Sequence, residues 1–108
     1  MNRRARVLLN GTVAGTLEQT SSGYLFSYER DYLANPDAKP VSLTLPLRKE
    51  PFLSPRLFPF FVGLLAEGNL KDLQCRIYKI DPDDDFTRLI KTTRDDVIGA
   101  VTVEDIAQ

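Results

Sequence analysis

The sequence predicts an α+β fold, in which a small antiparallel β-sheet or partly open barrel of about five strands has about two to three helices inserted before its last strand. Three observations favour it. The first half of the chain alternates apolar and polar residues around turn signals, residues 55–90 carry apolar residues at helical spacing, and residues 97–103 are again rich in β-branched residues. With 108 residues, 43% of them apolar, one domain covering residues 1–108 can bury a core without disulfides or metal.

The first three strands are predicted from turn chemistry and alternation. Residues 5–9 and 12–17 flank Asn10-Gly11, the pair that best adopts the positive φ angles of a two-residue hairpin turn. Aromatic residues then recur at every second position, which places three rings on one face of a third strand. These residues are Tyr24, Phe26 and Tyr28.

A fourth strand is predicted at residues 41–47, where every second residue is valine or leucine and the others are serine, threonine and proline. Because Pro46 cannot donate to a β-ladder, this strand should end there or lie at a sheet edge. One helical turn is predicted at residues 31–34. Residues 48–54 are expected to form a polar linker broken by proline.

Residues 55–68 have a broad apolar stripe at helical spacing. Ser54 is the predicted N-cap and Pro55 the predicted first residue of a helix that runs to about Ala66. Pro59 falls inside this helix and removes one backbone hydrogen bond, so the helix should bend or start late. The stripe consists of Leu57, Phe58, Phe61, Leu64 and Leu65.

Two more helices are predicted before the last strand at residues 97–103. Gly68 should end the first helix, Asn69 should cap the second, and Asp81-Pro82 should stop it. Aspartates at residues 83–85 favour the start of a third helix through the helix dipole. The apolar positions are Leu70, Leu73, Ile77 and Ile80 in the second helix, and Phe86, Leu89 and Ile90 in the third.

The composition argues against an enzyme. The chain has no histidine, so the usual Ser-His and Cys-His catalytic arrangements are excluded. Its glycines are scattered and form no phosphate-binding motif, and the aspartates at residues 81–85 lack the glycine and distal glutamate of a calcium loop. We therefore predict no catalytic residue, no metal site and no cofactor, and a phosphotransfer enzyme is the least favoured class of function.

The sequence predicts a cytoplasmic location. After Arg3, Arg4 and Arg6, residues 7–9 form an apolar run that is too short for the core of a signal peptide. No other window approaches the length of a membrane span. The single cysteine, Cys75, cannot form an internal disulfide, which suits a reducing compartment.

Two binding functions remain open from the residues alone. The net charge of −1 gives no general reason to bind nucleic acid, but a basic cluster near the aromatic strand could do so in a small β-barrel. That cluster consists of Arg3, Arg4, Arg6, Tyr24, Phe26 and Tyr28. The other candidate is an apolar surface that binds a protein. Its residues are Phe60, Leu64, Leu65, Ala66, Glu67, Gly68 and Asn69, of which the two leucines fit a core equally well.

Three segments resemble, in order and spacing, the N-terminal subdomain of HipA-type toxin kinases. They read Pro-Val-Ser-Leu-Thr-Leu-Pro-Leu at residues 40–47, Phe-Phe-Val-Gly-Leu-Leu-Ala-Glu-Gly at residues 60–68, and Asp-Asp-Val-Ile-Gly-Ala-Val-Thr-Val at residues 95–103. With the Asn10-Gly11 hairpin upstream, the resemblance spans nearly the whole chain. The chain departs from the family at Ala66, where proline is usual, and it ends where the family continues into a kinase body.

The resemblance implies that this subdomain is made as a separate protein, like HipS, which is the antitoxin of the truncated kinase HipT in three-component HipBST systems. It implies a non-enzymatic antitoxin that docks on a HipT-like serine/threonine kinase toxin, with a HipB-like helix-turn-helix DNA-binding protein as a further partner. Neither direct nucleic-acid binding nor membrane binding is expected. Residues 64–69, here called the corner, together with Phe60, are expected to contact the kinase near its cleft and oppose closure of its lobes.

Overall fold

A computed structural model describes residues 3–93 and 101–106 of the chain. Five strands form one antiparallel sheet in the order β4-β3-β2-β1-β5, so that β4 and β5 lie at the two edges and the sheet is open. This confirms the predicted α+β fold, and of the two predicted forms, a sheet or a partly open barrel, the structure has the sheet. The strands are β1 Arg3–Leu9, β2 Thr12–Thr20, β3 Gly23–Tyr28, β4 Phe52–Ser54 and β5 Val101–Asp105, and the helices are α1 Arg30–Ala34, α2 Pro59–Val62, α3 Gly68–Tyr78 and α4 Asp85–Thr92.

The predicted hairpin between β1 and β2 is confirmed. Asn10 and Gly11 have φ angles of 53° and 83°, as a two-residue turn that follows the twist of the strands requires. The turn brings Leu9 opposite Thr12 and Ala5 opposite Leu17. Because the side-chain period of a strand is two, this register sends Ala5 and Val7 to the core, where both are fully buried.

The aromatic face of β3 is the centre of the core. Phe26 lies opposite Leu17 of β2 and Phe52 of β4, and its ring centroid is 5.8 Å from that of Phe61. Gly15 makes room for it, since a Cβ at Gly15 would lie 3.0 Å from the Phe26 ring and 2.4 Å from the backbone oxygen of residue 27. A side chain at that position would therefore push the two strands apart.

The predicted fourth strand at residues 41–47 is wrong. Leu45 donates its N–H to the Ser42 carbonyl, which folds this segment into a turn, and Leu43 is 96% exposed. The buried Tyr28 hydroxyl accepts from the Val41 N–H and donates to the Leu45 carbonyl, so two backbone groups that a strand would use are satisfied by a side chain. The alternation of apolar and polar residues predicted a strand, but the hydrogen bonds of the Tyr28 hydroxyl stabilise a turn.

The fourth strand instead lies in the segment predicted to be a linker. Phe52–Ser54 pairs with β3 at one edge of the sheet, with Phe52 opposite Phe26. Arg48 covers the outer end of this strand, with its guanidinium carbon 3.6 Å from the Phe52 ring centroid, as in a cation–π contact. A strand of three residues is too short to show an alternation pattern, which is why the sequence did not reveal it.

The helix predicted from Pro55 to about Ala66 is a single turn, α2, that starts late. Pro59 is its first residue, a position where the missing N–H of proline costs nothing, so the expected late start is confirmed and the predicted start at Pro55 is wrong. The helical turn predicted at residues 31–34 is confirmed as α1. The buried residues of the predicted stripe are Leu57, Phe58, Phe61 and Leu65, while Leu64 is partly buried against the core.

The last two helices and the last strand follow the sequence in part. α3 begins at Gly68 with Glu67 as N-cap, so the predicted cap at Asn69 is wrong. α4 has the predicted aspartate cap, because the Asp84 carboxylate accepts the Thr87 N–H at 3.1 Å. The last strand is confirmed at residues 101–103, and residues 97–100 of that prediction lie outside the described residues. Within the described ranges, no helix is long and apolar enough to cross a membrane.

Candidate docking surface

The corner leaves α2 through a tight turn and enters α3 at a glycine. The N–H groups of Leu64 and Leu65 bond back to the carbonyls of Phe61 and Val62 at 3.1 and 3.0 Å. α3 then begins at Gly68, whose φ of +62° lies in the left-handed region that favours glycine. The backbone therefore changes direction within a few residues, and this turn places the corner at the surface.

The seven residues predicted to bind a partner divide by burial. The apolar ones lie on the side of the protein's own core, where one is only 9% exposed and two are partly buried. The polar ones and the glycine lie on the outside. In order, Phe60, Leu64 and Leu65 pack against the core, Ala66 is half-buried between the two sides, and Glu67, Gly68 and Asn69 are exposed.

A buried arginine holds the corner in place. Arg88 of α4 is 5% exposed, and its Nη2 donates to the Ala66 carbonyl at 2.7 Å. Its Nη1 bonds to the Asp85 carboxylate at 3.1 Å, which fixes the direction of the guanidinium plane. Alanine at residue 66 lacks the rigidity of proline. The Arg88 hydrogen bond, which comes from another helix, constrains the backbone at this residue instead.

Two clefts meet at the corner. One, of about 630 Å³, lies on the α2 side and is lined by Leu57, Pro59 and Gly63. The other, of about 330 Å³, lies on the α4 side and is lined by both acidic and basic side chains. Both clefts share the walls formed by Val62, Leu65 and Glu67, and the second is lined as well by Ala66, Gly68, Lys71, Asp85 and Arg88.

The apolar residues of α3 do not face the core, although the apolar side of an amphipathic helix usually does. Leu70 and Leu73 are each 50% exposed and Ile77 is 62% exposed, whereas Cys75 is the buried residue of this helix. Of the four apolar positions predicted from the spacing, Ile80 alone is buried, just beyond the helix end. The sequence revealed the stripe but not that it points outward.

The nucleic-acid surface predicted as the alternative is not assembled. Phe26 and Tyr28 are buried, and burial raises the pKa of the Tyr28 phenol, so neither ring is available to stack on bases. The Arg3 guanidinium already contacts α4. Its Nη1 donates to the Thr87 hydroxyl at 2.7 Å, and its central carbon lies 4.9 Å from the Phe86 ring centroid. Arg4 and Arg6 are exposed and Tyr24 is partly buried, so only part of the predicted set remains accessible.

The described residues offer no group of three or more cysteine, aspartate or glutamate side chains that could hold a metal ion. Two of the aspartates before α4, Asp81 and Asp84, use their carboxylate oxygens locally. The Asp81 carboxylate accepts the Asp83 N–H at 2.9 Å, and Asp84 accepts from the Thr87 backbone and hydroxyl. The corner is instead distinguished by its exposed residues, its two clefts and the Arg88 anchor.

In a comparison with known protein families, residues 5–104 match the family described as HipA N-terminal domain. A solved structure described as the N-terminal domain of HipA toxin superimposes with a TM-score of 0.69 and 31% sequence identity. The superposition covers 98% of this chain and 94% of that one. The fold and the sequence therefore point to the same family.

Two further relatives differ in length. An uncharacterized protein of Haemophilus influenzae is 35% identical over 106 residues, which are 98% of this chain and 95% of that protein. The protein named Putative kinase Y4mE of Sinorhizobium fredii is 32% identical over 100 residues, which are 92% of this chain and 24% of the relative. This chain thus corresponds to about a quarter of the Sinorhizobium protein.

Proposed function

This chain belongs to the HipA N-terminal domain family, and we propose that it is a non-enzymatic antitoxin of the HipS type, which binds a HipT-like serine/threonine kinase toxin and neutralises it. The docking site lies at or near the active-site cleft of the kinase. The complex forms in the cytoplasm, needs no cofactor, and has a HipB-like helix-turn-helix protein as a further component.

The observation that carries this proposal is the anchored corner. Glu67 is exposed directly after Ala66, whose carbonyl is held by Arg88, and Asn69 is exposed in the first turn of α3, so the corner is ordered before a partner arrives. A preformed loop loses little conformational entropy on binding, which favours affinity. The clefts on both sides of Glu67 give a partner surface features to fill.

The position of the domain in a longer relative supports a kinase as the partner. In the Sinorhizobium protein a region similar to this chain is joined to a much longer remainder, and the name of that protein refers to a kinase. In the proposed antitoxin, this domain and the kinase belong to two chains, so the contact is made between them. A corner inserted at the kinase cleft opposes the lobe closure that assembles the groups for phosphoryl transfer.

Exposed corner residues provide the test, because Leu65 is buried and its replacement would disturb the fold. The double variant Glu67→Arg with Asn69→Arg should lose neutralisation of a HipT-like kinase, measured as growth on co-expression and as kinase autophosphorylation. Glu67 makes no side-chain cap to α3, so the variant should fold, as circular dichroism can verify. The matched control is Ser21→Arg with Glu50→Arg, at exposed positions away from the corner.

The two levels of the proposal fail separately. If the folded corner variant neutralises the kinase as well as the control does, docking through the corner is wrong. If the unaltered chain neither binds nor inhibits a HipT-like kinase, the antitoxin function itself is wrong.

A further inference from the structure

The outward face of α3 is an apolar surface that the protein's own core does not use. Leu70, Leu73 and Ile77 recur at i, i+3 and i+7, so they lie within an arc of about 60° around the helix. Cys75 lies on the opposite side and is buried. We call the three exposed residues the α3 stripe.

The helix is held so that this face remains outward. At its start Gly68 has a positive φ, and the neighbouring Ala66 carbonyl is bound by Arg88. At its end Lys79 is left-handed with φ of 56°, and the Ile80 N–H bonds to the Cys75 carbonyl at 2.8 Å. The Arg88 bond fixes the backbone just before the helix, and turning the stripe into the core would expose Cys75 and Ile80, which are buried.

Exposed leucine and isoleucine in one row at helical spacing are the pattern by which an amphipathic helix enters an apolar groove of a partner. Each side chain here keeps half or more of its surface in water. Covering the stripe would recover the hydrophobic free energy that folding leaves unused, at about 25 cal/mol for each Å² of apolar surface. The surface is thus better explained by a partner than by the fold.

We infer that the α3 stripe is the second half of the docking surface and that the kinase toxin of the proposed function covers it with an apolar groove. This inference rests on that function. α3 begins at Gly68, within the corner, and Leu70 lies in its first turn, so a partner that contacts Glu67 and Asn69 meets the stripe directly.

Size and chain context favour the kinase over a second copy of this chain. Three half-exposed side chains cover much less than the roughly 800 Å² that each partner contributes to a stable interface, so a dimer through the stripe alone would be weak. Combined with the corner and its two clefts, the stripe becomes part of a larger surface. In the Sinorhizobium relative, a long remainder of the same chain is present to cover such a face.

The test changes the stripe and leaves the corner intact. Leu73→Glu with Ile77→Glu keeps good helix formers at exposed positions, so the fold should persist. Affinity for the HipT-like kinase, measured by calorimetry at physiological salt, should fall by about 100-fold or more, as expected for two apolar anchors of an interface. Asp72→Lys, at an exposed position of α3 outside the stripe, is the control, and Leu73→Met with Ile77→Leu should retain binding.

Three results would overturn the inference. Unchanged affinity in the charged stripe variant, while the corner variant loses binding, would remove the stripe from the interface and leave the antitoxin function standing. Absence of binding by the unaltered chain would remove both. Dimerisation of the unaltered chain in analytical ultracentrifugation, lost in the stripe variant, would identify a second copy as the occupant.

Discussion

At the scale of single residues, Arg88 connects parts of the chain that no sequence pattern relates. Its side chain is buried, and both of its terminal nitrogens are used, one by Asp85 on its own helix and one by the Ala66 carbonyl. Every buried side-chain nitrogen and oxygen in the described ranges has a hydrogen-bond partner, so Arg88 belongs to a fully satisfied polar network. Its loss would leave a backbone carbonyl without its partner.

Replacing Arg88 with alanine should lower the free energy of unfolding by about 1–3 kcal/mol, because the Ala66 carbonyl loses a charge-assisted hydrogen bond and the buried stem of the arginine leaves a gap. Urea denaturation measures the loss. Lys91→Ala, at an exposed position of the same helix, is the control and should change the value by no more than about 0.5 kcal/mol. Equal stability of the two variants would show that the corner does not depend on this anchor.

At the scale of elements, the segments with the clearest chemistry follow the sequence, and the shortest do not. The first hairpin and α4 carry their own signals, the Asn10-Gly11 turn and the aspartates before α4. α2 has a single turn and β4 has three residues, so neither could show its period. Local chemistry thus decides where an element is predictable.

The α4 cap offers a quantitative check at this scale. Asp84→Ala should lower the free energy of unfolding by about 0.5–2 kcal/mol, because the Asp84 carboxylate caps the Thr87 N–H at 3.1 Å and accepts the Thr87 hydroxyl at 2.6 Å. Thermal and urea unfolding of the variant measure it. Asp83→Ala serves as control, since Asp83 is exposed one residue earlier and does not cap the helix. Equal losses in the two variants would attribute the effect to charge alone.

At the scale of the whole molecule, sheet and helices share one core. A single cluster of buried apolar residues joins the sheet to the segment that contains α2 and to α4. The radius of gyration is 13.7 Å, near the value of about 13 Å for a domain of this length. The last strand is tied to α4, because the Thr93 hydroxyl accepts the Val103 N–H at 3.1 Å. Because β5 also pairs with β1, the last strand joins α4 to the first strand of the sheet.

The predicted single domain should accordingly unfold in one step. Urea transitions followed by circular dichroism and by tyrosine fluorescence should coincide, with an m-value of about 1–3 kcal/mol per molar urea. Phe61→Ala should lower the free energy of unfolding by about 3–5 kcal/mol and move both transitions together to lower urea concentration, since Phe61 of α2 is fully buried against the sheet. Two separated transitions would contradict one cooperative domain.

The candidate site illustrates how far sequence reasoning reaches. The corner was located from an apolar stretch that ends at Gly68 and from a family resemblance, and the structure adds the Arg88 anchor and the clefts. The α3 stripe was visible as a spacing of Leu70, Leu73 and Ile77, yet its direction was not, because periodicity defines a face without saying what it contacts. The likeness to HipA N-terminal domains could be predicted from motifs, since three of them occur in register.

By itself, the sequence determined the class of the fold, its first hairpin, the aspartate cap of α4 and the family, because each is indicated by short motifs or by spacing that can be recognised within single segments. Only the tertiary structure decided that residues 41–47 form a turn held by Tyr28, that Arg88 anchors the corner, and that α3 turns its apolar face outward. Each of these depends on a partner distant in sequence or on the choice of which surface meets the core. Local spacing carries no information about such partners, and packing supplies it.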